Sequence, residues 1–120
     1  MPGNWKRMLA VVFAGLLMAQ IPVEAQSTQG SIIGTVRDSS GAVVLAARVE
    51  VVNQDSATRH TAATDAKGSY QVLNLEPGRY RVQVQAPGFS KSLEENLQLS
   101  ARQELRVDVT LSLEDRKSVV

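Results

Sequence analysis

Hydrophobic and polar residues alternate with a period of two through the greater part of the chain. In residues 79–86, Tyr80, Val82 and Val84 alternate with arginine and glutamine without interruption. Such alternation is typical of a strand with one face in the core and the other in water. Residues 105–113 alternate in the same way, so the sequence predicts a long C-terminal strand there as well.

Shorter runs rich in Val, Ile, Leu and Thr predict five more strands. They cover residues 31–37, 47–53, 58–64, 69–73 and 93–99. The breaks between strands carry turn-forming residues, namely Asp38-Ser39-Ser40-Gly41, Asp65-Ala66-Lys67-Gly68, Glu76-Pro77-Gly78 and Ala86-Pro87-Gly88. Together these signals predict an all-β fold, a small seven-stranded antiparallel β-sandwich. Residues 90–105 are the only candidate helix, and their leucine spacing fits a strand almost as well.

The start of the chain has a different pattern. Lys6 and Arg7 precede an uninterrupted apolar run at residues 8–19, and small residues follow at Val23 and Ala25. This is the layout of a secretory signal peptide. A helix of 12 residues spans about 18 Å, well short of the roughly 30 Å core of a bilayer. The short run therefore favours a cleaved signal peptide over a permanent membrane anchor.

The expected domain boundaries follow from this signal peptide and from the strands. We place the cleavage between Ala25 and Gln26, and the mature chain then has no apolar run long enough for a transmembrane helix. The chain is expected to comprise a signal peptide, a short linker, the β-sandwich, and a polar tail or the start of a linker to a missing region, at residues 1–25, 26–29, 30–113 and 114–120.

Composition narrows the classes of function. The chain has no Cys, so cysteine-ligated zinc, an iron–sulfur cluster and a cysteine nucleophile are excluded. Its 13 Lys and Arg residues are interspersed with 12 Asp and Glu residues, and no basic block stands out, so no nucleic-acid partner is expected. The hydrophobic content of 43% is too high for a disordered chain.

Few residues are candidates for catalysis or metal binding. The single histidine, His60, lacks a carboxylate at the spacing of a His-x-x-Glu metal pair, and Ser56, Thr58 and Asp65 join it in a triad only if the fold brings them together. Asp38 and Asp65 could in principle bind calcium, but each stands alone in a turn that its own side chain caps. We therefore predict no catalytic, cofactor-binding or metal-binding residues, and no enzyme activity.

The three large aromatic residues of the mature chain are Tyr70, Tyr80 and Phe89. They could fill the core, with the phenolic hydroxyls at its rim, or they could form an exposed platform on which a sugar stacks. Tyr80 shares its face of the strand with Val82 and Val84. The sequence therefore favours the core.

Five short motifs follow one another along nearly the whole mature chain. They are Gly34-Thr35-Val36 with Asp38 and Gly41, Ala47-x-Val49-x-Val51 with Asn53, Thr64-Asp65-x-x-Gly68-x-Tyr70, Leu75-x-Pro77-Gly78-x-Tyr80-x-Val82-x-Val84, and Gly88-Phe89. This set closely resembles the carboxypeptidase regulatory-like domain, a transthyretin-like β-sandwich that is also grouped with carbohydrate-binding-like folds. At Leu45-Ala46 the chain departs from the Pro or Gly that this family usually has before the second strand.

The resemblance also implies a context, because such domains form N-terminal extensions of TonB-dependent outer-membrane receptors. The chain is too short for a plug and barrel, so we expect a fragment of such a receptor or a free-standing relative. Its function would be that of a non-catalytic accessory module that contacts a receptor plug, a barrel or a periplasmic protein through a sheet edge or face. Carbohydrate binding or cell-surface adhesion is the alternative. The expected location is the periplasm, the periplasmic side of the outer membrane, or the cell surface.

Export makes a direct prediction about the mature N-terminus. N-terminal sequencing of the protein from the periplasmic fraction is expected to begin at Gln26, because the small residues Val23 and Ala25 precede that bond. Periplasmic protein that still contains Trp5 would contradict the prediction.

Overall fold

The computed structural model describes residues 27–114, and the strands make up most of that range. Eight strands occur there: β1 (Gly30–Asp38), β2 (Arg48–Asn53), β3 (Arg59–Ala63), β4 (Ser69–Leu75), β5 (Gly78–Gln85), β6 (Ser92–Leu99), β7 (Glu104–Arg106) and β8 (Val109–Leu111). Within residues 27–114 there is no helix that could cross a bilayer. The predicted signal peptide lies outside the described residues, and so does the predicted tail at 114–120 except for Glu114.

The strands form two four-stranded sheets. Sheet one has the order β4-β1-β7, with β8 also pairing with β1, and sheet two has the order β3-β2-β5-β6. This arrangement confirms the predicted β-sandwich. Two details differ from the prediction: there are eight strands instead of seven, and β7 and β8 run parallel to β1, whereas the other strand pairs are antiparallel.

The alternating residues point where their pattern predicts. In β5, Tyr80, Val82 and Val84 are buried, and Val49 and Val51 of β2 lie beside them in the register. The residues between them, Glu50, Arg81 and Gln83, lie on the opposite face and are partly exposed. The core between the sheets is formed chiefly by Ile32, Val36, Val49, Val51, Tyr70, Val72, Leu75, Tyr80, Val82, Val84, Leu99, Val107, Val109 and Leu111.

The predicted C-terminal strand is interrupted at Val107 and Asp108. The Val107 amide donates to the Ile33 carbonyl at 2.7 Å, in register with β7. One residue later, the carboxylate oxygen Oδ1 of Asp108 accepts the amide hydrogen of Thr35 at 2.8 Å. A side chain thus replaces a backbone carbonyl as the acceptor, which divides the strand. Val107, Val109 and Leu111 stay buried as their alternation predicts, whereas Leu113 lies beyond β8 and is 72% exposed.

Gly34 lies under this interruption. A Cβ atom at position 34 would come within 1.9 Å of the Val107 carbonyl oxygen, so only glycine fits there. The Tyr70 hydroxyl donates to the same carbonyl at 2.6 Å. The sequence places this phenol at the rim of the core, and that expectation is wrong, because the strand break leaves a buried carbonyl that needs a donor.

Burial on β5 gives the first structural test. Val84 is fully buried, whereas the next residue, Gln85, lies on the outer face and is partly exposed. Gln85 is opposite Arg48 in the β2–β5 register. Val84→Asp is expected to unfold the domain, because an unpaired buried charge costs several kcal/mol against a total stability of roughly 5–15 kcal/mol. Gln85→Asp is expected to change stability by less than about 0.5 kcal/mol. Denaturant melts of both variants make the measurement, and equal losses of stability would show that the faces are assigned wrongly.

Candidate interaction site

The turn carboxylates are occupied by their own turns. Asp38 Oδ1 accepts the amides of Ser40 and Ala42 at 2.9 and 3.1 Å and the Ser40 hydroxyl at 2.6 Å. Asp65 Oδ1 accepts the amides of Lys67 and Ser69 at 2.8 and 3.0 Å. The Ser40 hydroxyl lowers the pKa of Asp38, and the Ser69 amide lowers the pKa of Asp65. Within residues 27–114 no cluster of His, Asp and Glu could hold a metal ion.

The residues around His60 are only partly brought together. Ser56, Thr58 and His60 line one concavity of about 350 Å³ at the start of β3. The Ser56 hydroxyl donates to the Thr58 hydroxyl at 2.9 Å, and Asp65 lies beyond the other end of the same strand. No hydrogen bond in the described range involves the His60 side chain. The fold therefore does not align these four residues as a nucleophile, base and acid.

The aromatic rings are used mainly by the core. Tyr70 and Tyr80 are 4% and 1% exposed, and the Tyr80 hydroxyl donates to the Glu76 carbonyl at 2.6 Å. Phe89 is half-buried and lines a shallow groove beside Pro87. The three rings do not form a shared exposed platform on which a sugar could stack.

The outer face of sheet two carries more positive than negative charge. Glu50 is paired with Arg59 at 3.4 Å and with Arg48 at 3.9 Å, and only 13% of its side chain is exposed. Arg81 lies on the same face, where Val52 separates it from Arg59 in the register. We call these four charged residues, Arg48, Glu50, Arg59 and Arg81, the arginine face. The sequence does not single out these residues, because they come from three strands whose pairing it does not reveal.

Sheet edges offer a second kind of surface, because edge strands leave backbone groups unpaired. The edge strand β4 contains a bulge, where Leu73 and Asn74 together lie opposite Ser31. Asn74 has a φ of 59°, in the left-handed region. Such a bulge interrupts the row of backbone groups that a further strand would need.

The edge strand β6 also contains a bulge. Glu95 and Asn96 lie opposite Arg81, and Asn96 has a φ of 58°. The Asn96 amide donates to the side-chain oxygen Oε1 of Gln54 at 2.7 Å, which holds the bulge in place. The acidic pair Glu94 and Glu95 adds charge to this edge. On the remaining edge of sheet one, β7 and β8 are separated by the break described above.

Strand β3 is the edge strand without an interruption. All five of its residues, Arg59 to Ala63, pair in regular register with β2. At the ends of this ladder the Asn53 amide donates to the Thr58 carbonyl and the Thr64 amide donates to the Ala47 carbonyl. In an antiparallel strand, successive residues direct their backbone N–H and C=O groups to opposite edges of the strand. Because Thr58 and Thr64 bond on the β2 side, His60 and Ala62 between them also bond to β2. The odd-numbered residues of β3 direct their amide and carbonyl groups away from the sheet.

Comparisons with known proteins agree with this architecture. The family model described as "Carboxypeptidase regulatory-like domain" matches residues 31–112. The TonB-dependent transporter Oar of Myxococcus xanthus is 32% identical over 111 residues, which are 92% of this chain and 10% of that protein. The chain thus spans about a tenth of the length of this curated relative.

Two solved structures illustrate the likeness in fold. The TIE protein of Bacillus anthracis matches with a TM-score of 0.62 at 22% identity, over 72% of this chain and 17% of that one. A candidate carbohydrate-binding protein of Bacteroides uniformis matches with a TM-score of 0.56 at 17% identity, over 68% of this chain and 40% of that one.

The capping carboxylates predict how stability depends on pH. The pKa values of Asp38, Asp65 and Asp108 are all lowered on folding, Asp108 chiefly by the Thr35 amide. A lowered pKa contributes stability that is complete above the usual aspartate pKa of 3.8 and is lost as the pH falls through the folded value. We expect the melting temperature to decrease when the pH is lowered below about 4. Asp108→Asn is expected to lower it by a few degrees at pH 7 and by less at pH 3. Thermal melts measure this, and an equal loss at both pH values would contradict the assignment.

Proposed function

The chain belongs to the carboxypeptidase regulatory-like domain family, and we propose that it is a non-catalytic accessory module that binds a protein segment at the cell envelope. In this proposal it is the N-terminal extension of a TonB-dependent outer-membrane receptor, or a free-standing relative of one. The observation that carries the proposal is the 32% identity to a TonB-dependent transporter over 92% of this chain.

A non-catalytic role is consistent with what the side chains do. Asp38 and Asp65 cap turns, the Tyr70 and Tyr80 hydroxyls donate to backbone carbonyls, and Asp108 accepts a backbone amide. These hydrogen bonds support the fold. Recognition is then left to the open backbone edge and to the charged outer face.

The proposed location follows from the proposed context. The apolar run at the start of the sequence favours export, and the matched transporter supports an outer-membrane setting. We place the module in the periplasm or on the periplasmic side of the outer membrane. Its partner would be the plug or barrel of a receptor, or a periplasmic protein that contacts one.

Carbohydrate binding is the alternative, and only the shared fold supports it. The match to the Bacteroides uniformis protein is 17% identical, and a common fold hosts many functions. Sugar sites commonly present exposed rings, whereas Tyr70 and Tyr80 are buried.

Affinity purification tests the proposal. We expect the tagged chain, crosslinked in cells of its own organism, to recover a TonB-dependent receptor or a periplasmic protein identified by mass spectrometry. The control is Val84→Asp, in which the fold is expected to be lost and the recovery with it. Recovery of the same proteins by both would show that capture is non-specific, and no protein above background for either would contradict the proposal. Titration with soluble glycans, followed by amide chemical shifts, tests the alternative.

A further inference from the structure

The outer edge of β3 has free backbone groups next to a positively charged face. We propose that this edge is the docking site and that its occupant is an extended, acidic segment of the partner protein, which adds to sheet two as a fifth strand beside β3. This inference rests on the proposed function, and it specifies both the surface of the module and the chemistry of what binds there.

The backbone supplies the first part of the argument. Arg59, Thr61 and Ala63 direct their amide and carbonyl groups away from β2, as the ladder bonds at Thr58 and Thr64 require. The same three residues are exposed. An extended segment could therefore form up to six backbone hydrogen bonds with β3.

The other edges lack such a row. A bulge at Asn74 interrupts β4, a bulge at Asn96 interrupts β6, and the Val107–Asp108 step separates β7 from β8. Bulges and charges are the usual means by which sheets block further pairing. Their presence on three edges and their absence from the fourth identify β3 as the edge left open.

Side chains then define the occupant. On the outer face, a strand beside β3 places its residues opposite Arg59, Thr61 and Ala63, next to the arginine face. Glu50 is already paired with two arginines, so a carboxylate opposite Arg59 would complement a remaining excess of positive charge. On the inner face, Ala62 packs against the core, so a small apolar residue fits opposite it. The fitting segment alternates acidic and apolar residues.

A designed peptide provides a probe of known chemistry. The acidic probe is a capped nine-residue peptide that alternates Val with Glu and Thr, and the basic probe has Lys in place of each Glu. Titration into the ¹⁵N-labelled chain is expected to shift the amides of Arg59, Thr61 and Ala63 and to slow their hydrogen exchange. We expect the acidic probe to bind about fivefold more tightly than the basic one at low salt. Shifts centred on β4, β6 or β8, or no shifts at all, would overturn the inference.

Two proline variants separate the edge from the rest of the domain. Thr61→Pro removes an outward amide that β2 does not use, so the domain is expected to stay folded and binding of the acidic probe to fall at least tenfold. Gln71→Pro makes the matching change on β4, where the Asp65–Ser69 bond shows that odd-numbered residues also face outward, and it is expected to leave binding unchanged. Equal effects of the two variants would overturn the inference.

A charge reversal tests the chemistry of the occupant independently of folding. Arg59→Glu is expected to reverse the preference, so that the basic probe binds more tightly than the acidic one, because Arg59 is the exposed charge on β3 itself. An unchanged preference would contradict the assigned charge complementarity.

Failure of this inference can be distinguished from failure of the proposed function. If Thr61→Pro recovers the same receptor or periplasmic protein from cells as the unaltered chain does, the accessory role stands and the β3 site is wrong. If the acidic probe binds β3 but no envelope protein is recovered, the edge is confirmed as competent and the proposed function is wrong.

Discussion

The Val107 carbonyl lying over Gly34 is the contact on which the rest of this structure depends. It brings the end of the chain onto β1, the middle strand of sheet one, more than 70 residues earlier in the sequence. The Tyr70 hydroxyl from β4 donates to the same carbonyl, and the Val107 amide donates to Ile33. One residue of the C-terminal segment, Val107, thus bonds through its amide to β1 and through its carbonyl to β4. Glycine is required at position 34 because the approach leaves no room for a side chain.

The same contact shapes the surface of the domain. Because Asp108 turns its carboxylate to the Thr35 amide, the C-terminal edge of sheet one is split into two strands of three residues each. The opposite edge is bulged at Asn74, and β6 is bulged at Asn96. These irregularities leave β3 as the regular edge among the described strands.

Much of the fold could be predicted from the sequence because a period of two reports directly on which face of a strand is buried. Tyr80, Val82 and Val84 lie inside as their alternation predicts, and Asp38 and Asp65 cap the turns that their positions predict. The family likeness, carried by the order of these motifs, is confirmed by the match over residues 31–112.

Other features could not be predicted, because they depend on partners distant in sequence. The alternation of residues 105–113 is unbroken, so nothing in it marks the step at Asp108, and strand periodicity does not distinguish parallel from antiparallel pairing. The buried Tyr70 hydroxyl depends on a carbonyl 37 residues away. The sequence predicts contact through a sheet edge or face without identifying the strand. Assignment of the edge to β3 required the bulges on the other edges, for which an asparagine within a strand is only a weak signal.

Amide hydrogen exchange, measured residue by residue by NMR, tests this account most directly, since one experiment compares the closing contact with the open edge. The Val107 amide, bonded to Ile33, is expected to exchange only through global unfolding, with an opening free energy equal to that from denaturant melts. The Thr61 amide, which faces away from β2, is expected to exchange with little protection. A Val107 amide that exchanges as fast as that of Thr61, or a Thr61 amide protected as strongly as that of Val107, would contradict the account.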